Sequence, residues 1–329
     1  MLEEGGAGKW RPFRLSGARV VSFTVGGLGV CSMKFATLEA GQLGAVVEER
    51  ALDLVQAAHE LGEGLAARTL LDLTRAGEKA AIEAWALAQR AAARNLAARP
   101  LEEVRPRAPI PMPIRNIFCL GKNYRDHVRE LGEKVDASAE LPEAPIVFTK
   151  ATRTVIGPGD PIPAHGHATQ MVDYEAELAL IIGKDGEDIP PERAWEHVFG
   201  YTAINDVTAR DLQIRHKQWF LGKSLRGFAP MGPYVVHRLV MAPPDRIRIR
   251  SWVNGEARQD ATFDQLIFDV PTIVATLSRG APLLAGDIIA TGTPAGVGMG
   301  FKPPRFLKPG DEVSVEVTGA GRLTNRVVA

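Results

Sequence analysis

The run from Val172 to Gly183 constrains the fold of this chain more than any other segment. It is rich in Leu, Ile and Val and ends at a glycine, so it predicts a β-strand. Glu175 and Glu177 lie two residues apart within it, and a strand points residues i and i+2 towards the same face. Two neighbouring carboxylates repel each other unless a cation or a proton lies between them. An isolated pair of this kind is most often a solvated strand face, so its meaning depends on the rest of the sequence.

A third carboxylate, Asp206, follows in the motif Ala-Ile-Asn-Asp-Val-Thr-Ala-Arg-Asp. Three oxygen donors without sulfur or imidazole between them suit a hard divalent cation. We therefore interpret Glu175, Glu177 and Asp206 as candidate ligands of Mg²⁺, with Mn²⁺ or Ca²⁺ as alternatives.

Composition argues against several classes of protein. The 39 Lys+Arg residues balance the 39 Asp+Glu residues, which gives no reason to expect nucleic acid or an anionic membrane as a partner. Cys31 and Cys119 stand alone, without the spacing of a zinc site or a disulfide framework, which fits a reducing compartment. No apolar run is long enough to cross a bilayer. The sequence therefore predicts a cytoplasmic location, or the mitochondrial matrix if the source is eukaryotic.

The first third of the chain divides into two segments of different composition. Residues 1–32 are rich in Gly, Arg and Ser and predict an extension that is not part of the fold. Residues 33–108 predict a small α/β domain, with a hairpin of two short strands followed by a helical pattern from Leu52 to Ala97. Prolines then punctuate a linker, because proline interrupts both helices and sheets.

The remaining residues, 109–329, predict a β-rich catalytic domain. Short apolar runs alternate there with Gly, Pro, Asp and Asn, and a few helices lie between them, notably over residues 191–198 and 270–278. The helices are too irregularly spaced for a doubly wound parallel sheet. The predicted fold class is therefore α+β with a predominance of strands.

Four further residues have the chemistry of a catalytic site. His127 and Glu130 lie three apart on a predicted helix, where the carboxylate would fix the imidazole tautomer and raise its basicity. Such a pair is suited to take a proton from water. Lys223 could stabilise an enolate or oxyanion in a closed pocket, and Gln213 could bind a substrate from a helix that begins at Asp206. Taken singly, such residues usually lie on a solvated surface.

Two glycine-containing segments are weaker signals. Gly222-Lys223-Ser224 resembles the end of a phosphate-binding loop, but Lys217 stands where that motif needs a glycine, so we reject nucleotide binding. The run from Gly292 to Gly298 lacks the glycine order of a dinucleotide-binding turn. It is either a plain tight turn or a turn whose backbone N–H groups meet an anion.

Taken in order, these segments resemble the fumarylacetoacetate hydrolase family. The resemblance spans about residues 113–328, essentially the whole second domain, and residues 33–108 resemble the small domain that longer members carry before the catalytic one. The matching motifs are Leu-Gly121-Lys-Asn-Tyr-Arg-Asp-His127, Asp173-Tyr-Glu-Ala-Glu177-Leu, Asn205-Asp-Val-Thr-Ala-Arg-Asp, Gly222-Lys-Ser, Val253-Asn-Gly-Glu, Ala290-Thr-Gly-Thr-Pro-Ala-Gly-Val-Gly298 and Phe306-Leu-Lys-Pro-Gly-Asp311.

The resemblance implies a β-roll (mixed β-sandwich) catalytic fold, usually assembled as a homodimer. It implies that the three carboxylates hold the metal, that a His/Glu dyad activates water, and that further residues bind a 2-oxo or 2,4-dioxo acid. Those residues are Glu175, Glu177 and Asp206 for the metal, His127, Glu130 and Lys223 for catalysis, and Gln213, Thr293 and Arg125 for the substrate.

The reaction stays open at this stage. The leading prediction is Mg²⁺-dependent hydrolysis of a C–C bond in a 2,4-dioxo acid, such as an acylpyruvate or a fumarylacetoacetate-like compound. The alternatives are tautomerisation or decarboxylation of oxaloacetate, or isomerisation of a 2-hydroxyhepta-2,4-diene-1,7-dioate, because all of these reactions pass through an enolate. A non-catalytic binding protein would lack a ligand or part of the dyad, and none is missing. Departures from the family pattern at Leu225-Arg226 and over 131–145, where members carry a lid, leave the substrate open.

Overall fold

The structure is a computed structural model that describes residues 33–132 and 140–329. The predicted extension over residues 1–32, and residues 133–139 of the segment where family members carry a lid, lie outside the described residues. Within residues 33–132 and 140–329, no helix combines the length and the apolar character that spanning a membrane would need.

Seven α-helices form in this part of the chain, alongside several single turns of 3₁₀-helix. They are α1 (Leu54–Leu61), α2 (Leu70–Ala93), α3 (Arg125–Leu131), α4 (Ala194–His197), α5 (Arg210–His216), α6 (Phe220–Lys223) and α7 (Val270–Ser278).

Nineteen strands form in the same residues. They are β1 (Lys34–Thr37), β2 (Leu43–Val47), β3 (Arg50–Asp53), β4 (Ala98–Pro100), β5 (Ile117–Gly121), β6 (Ile146–Lys150), β7 (Val155–Ile156), β8 (Ile162–Pro163), β9 (Val172–Asp173), β10 (Ala176–Ile182), β11 (Val198–Asn205), β12 (Thr208–Ala209), β13 (Ala229–Pro230), β14 (Val235–His237), β15 (Arg248–Val253), β16 (Glu256–Thr262), β17 (Ile288–Ala290), β18 (Glu312–Val317) and β19 (Gly321–Val328).

The predicted helical pattern from Leu52 to Ala97 is divided into α1 and α2, and α2 is itself interrupted at Gly77, where φ is 82° and ψ is −173°. Asp53 caps α1 by accepting hydrogen bonds from two backbone N–H groups, and Gly62 ends the helix in the left-handed conformation, with φ of 66°. Thr69 and Asp72 then form a capping box that starts α2. The break between α1 and α2 therefore follows from the capping residues, which the spacing of apolar residues does not reveal.

Two sheets form the framework. A ten-stranded sheet has the order β4-β3-β2-β1-β14-β11-β10-β17-β5-β6, and a five-stranded sheet has the order β16-β15-β18-β19-β8. The predicted hairpin of the N-terminal segment is confirmed as β1 and β2, which pair antiparallel. β1 also pairs with β14, so the strands of residues 34–53 continue the sheet built by later residues. Division of the chain into domains at residue 108 stays a prediction.

Strand β10 lies in the interior of the molecule, and all seven of its residues are buried. Ala179 and Ile181 pack in the core beneath helices α1 and α2, whereas Leu178, Leu180 and Ile182 pack in the core between the two sheets. Both faces are thus covered, which explains a nearly continuous apolar run. The α+β, sheet-rich class predicted from the sequence is confirmed.

Candidate active site

Three carboxylates meet where β10 begins and β11 ends. The two strands are antiparallel, with Ala176 opposite Asn205, so the residues at the start of one strand lie beside those that follow the other. The structure brings Glu175, Glu177 and Asp206 together, each offering an oxygen within 4.8 Å of the others, and all three are buried. The strand pairing thus joins the ligand candidates that the sequence predicted.

Three cationic side chains surround this cluster. The Lys223 ammonium donates to Glu175 Oε2 at 2.6 Å and to Asp206 Oδ2 at 2.7 Å. Lys150 Nζ lies 2.5 Å from Asp206 Oδ1 and also donates to the Val207 carbonyl at 3.0 Å. Arg210 Nη2 lies 2.8 Å from Glu175 Oε1. Glu175 and Asp206 are therefore both held by buried cations.

The two glutamates differ in their electrostatic environment. Burial alone would raise the pKa of Glu175, but Lys223 and Arg210 outweigh it and lower that pKa to about 2. Burial, together with the charges of Asp206 and Glu175, raises the pKa of Glu177 well above its usual range, although Gly292 N–H donates to its carboxylate at 2.7 Å. The protein alone thus favours a negative charge on Glu175 and disfavours one on Glu177.

This donor set fits a divalent cation. The three side chains supply only oxygen atoms, which is the ligand chemistry of Mg²⁺, Mn²⁺ and Ca²⁺. The pKa of Glu177 is raised because this third carboxylate of the buried cluster has too little positive charge beside it. A divalent cation would supply that charge. Within the described residues this is the one group of acidic, histidine or cysteine side chains arranged to hold a metal ion.

The predicted catalytic dyad lies on α3, which follows strand β5. His127 is buried, and its Nδ1 lies 3.5 Å from Glu130 Oε2 without forming a hydrogen bond to any described residue. Both Glu130 oxygens instead accept the Gly296 N–H, at 2.9 and 3.1 Å. The turn after β17 thus holds Glu130 beside His127, at a separation slightly longer than a good hydrogen bond.

The remaining predicted residues divide into two groups. Thr293 and Gln213 are buried and line the same cavity as His127, Glu175, Glu177 and Lys223. Arg125 is exposed at the start of α3 and does not line that cavity. The helix expected to begin at Asp206 begins at Arg210 instead, because residues 208–209 form β12 and pair with β9.

The cavity beside the carboxylates is small and partly aromatic. It has a volume of about 30 Å³, and Phe148 and Trp219 pack edge to face on one of its walls with ring centroids 5.2 Å apart. The Lys223 ammonium lies 4.9 Å from the centroid of the Phe148 ring, a cation–π distance. The aromatic wall therefore contacts the cation that bridges two of the carboxylates.

Three residues of this network escaped prediction from the sequence. Lys150 ends the edge strand β6 and carries no motif of its own. Arg210 bridges Asp173 and Glu175, with its Nε donating to Asp173 Oδ2 at 2.9 Å. Asp173 also accepts the N–H groups of Gly298 and Met299. Arg210 and Asp173 do lie within the matched motifs. Their closeness in sequence to Asp206 and Glu175 could therefore have identified them as part of the site.

Comparison with known proteins gives consistent matches. A family model described as fumarylacetoacetate (FAA) hydrolase C-terminal matches residues 116–328. The oxaloacetate tautomerase YisK of Bacillus subtilis is 45% identical over 304 residues, which are 90% of this chain and 100% of that protein.

Solved structures give the same result. The fumarylacetoacetate hydrolase of Exiguobacterium antarcticum superposes with a TM-score of 0.74 at 40% identity and covers 90% of this chain and 99% of its own. The 2-hydroxyhepta-2,4-diene-1,7-dioate isomerase of Mycobacterium marinum superposes with a TM-score of 0.58 at 36% identity, over 70% of this chain and 80% of its own.

The family model covers more than half of this chain, and it includes every residue of the three-carboxylate cluster. The similar proteins named above comprise a tautomerase, a hydrolase and an isomerase. The resemblance inferred from the sequence motifs is thereby confirmed, and this chain belongs to the fumarylacetoacetate hydrolase family of enzymes.

Proposed function

We propose that this protein catalyses the keto–enol tautomerisation of a 2-oxo diacid such as oxaloacetate, with Mg²⁺ or Mn²⁺ held by Glu175, Glu177 and Asp206. The observation that carries the proposal is the buried cluster of these carboxylates, of which Glu175 and Glu177 line one cavity with His127 and Lys223. The choice among family reactions is supported by the oxaloacetate tautomerase YisK, which is 45% identical across its whole length.

The bound cation would act as a Lewis acid and as a template for the carboxylate and carbonyl oxygens of the substrate. His127 would perform the proton transfer: it takes the proton of the enol hydroxyl and returns a proton to carbon 3, so no proton is gained or lost overall. The buried imidazole suits this role because its Nδ1 forms no hydrogen bond to a described residue.

Lys223 would stabilise the negative charge that develops between these two steps. Burial alone would lower the pKa of Lys223, but Asp206 and Glu175 outweigh it and raise that pKa, so the side chain stays an ammonium. An ammonium has three protons to donate, and the two carboxylates take two of them. The third is available for a substrate oxygen in the cavity.

Hydrolysis of a C–C bond in a 2,4-dioxo acid is the second candidate. Glu130 Oε2 lies 3.5 Å from His127 Nδ1, close enough for a small movement to make the dyad that water activation needs. The structural similarity to a fumarylacetoacetate hydrolase supports the same reaction. Tautomerisation needs only His127, whereas hydrolysis needs His127 together with Glu130.

A substrate screen tests the proposal. Purified protein with Mg²⁺ is mixed with enol-oxaloacetate or with an acylpyruvate, the enol absorbance is followed, and the products are identified. We expect rapid ketonisation of enol-oxaloacetate without pyruvate or CO₂, and loss of this activity in EDTA and in His127→Asn. The exposed His59, changed to asparagine in the same way, is the matched control and should keep full activity.

Other outcomes would assign a different reaction. Release of pyruvate and a carboxylic acid from the acylpyruvate, without ketonisation of enol-oxaloacetate, would establish the hydrolase. Release of CO₂ from oxaloacetate would establish a decarboxylase. Full activity after removal of divalent ions would contradict the metal site itself.

A further inference from the structure

The cavity beside the carboxylates is too small for the proposed substrate. Its volume of about 30 Å³ has room for about one or two water molecules, whereas sites for drug-sized ligands typically enclose about 300–1,000 Å³. A 2-oxo acid can therefore enter only if part of the wall moves. Among the described residues that line the cavity, Phe148 and Trp219 alone are partly exposed, and the others are buried.

These two aromatic residues differ in how firmly they are held. Phe148 lies within strand β6, where it pairs with Cys119 of β5, so the sheet fixes its backbone. Trp219 lies in the short link between α5 and α6 and belongs to no strand. Its carbonyl accepts the Lys223 N–H at 3.0 Å, and its side chain can rotate without breaking that bond. Trp219 is therefore the part of the wall that moves most easily.

The indole of Trp219 fills a slot that exists because residue 121 has no side chain. A Cβ at Gly121 would lie 2.3 Å from Trp219 Cζ3 and 2.7 Å from Cη2, well inside van der Waals contact. These two atoms form the tip of the indole, on the side away from the backbone. Since Gly121 itself lines the cavity, the tip of the indole fills space that part of a bound molecule would otherwise take.

We propose that Trp219 determines the size of the substrate that this site accepts. The proposal rests on the proposed binding of a 2-oxo acid, whose carboxylate and carbonyl oxygens are held at the carboxylate cluster. The carbons beyond the carbonyl then point to the other walls, of which Trp219 is the movable one. A compact acid needs a small displacement of the indole. A bulky acid needs the indole to leave its slot and to lose its contacts with Gly121 and Phe148.

Oxalate and N-phenyloxamate are suitable probes, because both offer two adjacent oxygens as a 2-oxo acid does, and the second adds a phenyl ring. Their dissociation constants would be measured by calorimetry at saturating Mg²⁺ for the wild type and the variants. Comparing the ratio of the two constants between proteins cancels the difference in charge between the probes. The dissociation constant of Mn²⁺, the melting temperature and the tryptophan fluorescence would be measured separately.

For Trp219→Leu we expect the affinity for N-phenyloxamate to rise about tenfold or more relative to that for oxalate, because the smaller side chain leaves room for the ring. The affinity for Mn²⁺ should change by less than about threefold. Oxalate should change the tryptophan fluorescence of the wild type, since the indole moves when the acid binds, and should not change that of Trp219→Leu.

Gly121→Ala is a second route to the same displacement, and it keeps the test possible if Trp219→Leu does not fold. The new methyl group would push the tip of the indole out of its slot, so the preference should shift towards N-phenyloxamate. Added to Trp219→Leu, it should change the ratio by less than about twofold, because the side chain that it displaces is gone.

Trp85 supplies a matched control. It is also partly exposed and packs edge to face on a phenylalanine, Phe35, with ring centroids 6.2 Å apart. Neither residue lines the candidate active site. Trp85→Leu should therefore lower the melting temperature while leaving the preference between the two probes and the fluorescence response to oxalate as in the wild type.

An unchanged preference in Trp219→Leu would overturn the inference while leaving the proposed function intact. Weaker binding of N-phenyloxamate by that variant would also overturn it, because Trp219 would then be a surface on which the ring stacks. An equal shift in Trp85→Leu would show a general loosening of the protein and would overturn it as well. A wild-type protein that binds neither Mn²⁺ nor oxalate would instead overturn the proposed function, and this inference with it.

Discussion

Lys150 is buried more completely than is usual for a lysine. Its side chain is fully buried, and its ammonium contacts Asp206 and the Val207 carbonyl. Burial lowers the pKa of Lys150, although the charge of Asp206 opposes this effect. An ammonium is retained in such a place only when it is paired, so Lys150 and Asp206 depend on each other.

Substitution Lys150→Met should therefore destabilise the metal-free protein in particular. It leaves Asp206 with one buried cation fewer, and breaking a buried pair from one side typically costs about 3–5 kcal/mol. Saturating Mg²⁺ should restore part of this loss, because the cation supplies positive charge beside Asp206. Thermal melts with and without Mg²⁺ should show a larger metal-induced rise in melting temperature for the variant than for the wild type.

Lys79 provides the control for this measurement. Its side chain is 91% exposed and pairs with Glu83 on the surface of α2. Lys79→Met should change the free energy of unfolding by no more than about 0.5 kcal/mol. Equal metal-induced shifts in Lys150→Met and the wild type would show that Lys150 does not compensate the charge of the cluster.

Some residues of this site could be predicted from the sequence, and others could not. Glu175, Glu177 and Asp206 could be found because acidic residues in a strand-like apolar segment conflict with the expected burial. Lys150 could not, since a lysine at the end of a short strand is typical of an exposed sheet edge. Only the tertiary pairing of β6 and the packing of α6 bring its ammonium to Asp206.

At the scale of elements, the turn over residues 292–300 organises the site more than any helix does. Gly292 donates to Glu177, Gly296 donates to Glu130, and Gly298 donates to Asp173. Three carboxylates from three different elements thus bind one stretch of backbone. The turn was identified in the sequence as a place where N–H groups could meet an anion, and the anions it meets are the protein's own side chains.

Gly300→Ala should lower any hydrolysis that needs Glu130, without unfolding the protein and without lowering tautomerisation by His127. A Cβ at this position would lie 2.1 Å from Glu130 Oε1, so the flexible end of the glutamate must move. Misplacement of a catalytic group by about 1 Å can cost up to about 100-fold in rate. We expect turnover of a substrate that requires the dyad to fall about 10- to 100-fold, with unchanged Mg²⁺ affinity by calorimetry.

Gly64→Ala is the matched control, because a Cβ there would meet no atom within 4 Å. It should leave both turnover and Mg²⁺ affinity as in the wild type. If Gly300→Ala turns over a dioxo acid at the wild-type rate, Glu130 is not required for that reaction. Such a result would favour tautomerisation by His127 alone.

At the scale of the whole molecule, the ten-stranded sheet joins the start of the chain to its middle through β14. His237 ends that strand, is 1% exposed, and packs edge to face on Phe199 with ring centroids 4.9 Å apart. Burial, together with the charge of Arg238, lowers the pKa of His237 to about 3. The folded protein therefore keeps this imidazole neutral at pH values where an unfolded chain would protonate it.

The resulting pH dependence of stability has a definite sign. Between the unfolded value of about 6.5 and the folded value of about 3, the unfolded chain binds one more proton, so stability falls as the pH decreases. The slope from this group approaches about 1.4 kcal/mol per pH unit. Urea unfolding at pH 7, 6 and 5 should show a shallower decline for His237→Gln than for the wild type.

An exposed histidine serves as the comparison. His59 lies in the last turn of α1, and His59→Gln should leave the pH dependence of the wild type unchanged. Parallel stability curves for the wild type and His237→Gln between pH 7 and 5 would contradict the assignment to His237. The sequence offered no sign of this role, since a histidine between Val236 and Arg238 does not reveal how both faces of its strand are covered.

The pairing of β1 with β14 also affects folding during synthesis on the ribosome. Lys34 lies opposite Val236 and Phe35 opposite Val235, so about 200 residues must be added after the first strand before its partner exists. At typical rates of synthesis this takes about 10–40 s. Throughout that interval one side of β1 has no neighbour, and an unpaired strand side can associate with other nascent chains. The seam that completes the sheet is therefore also the place where a chaperone would be most useful during translation.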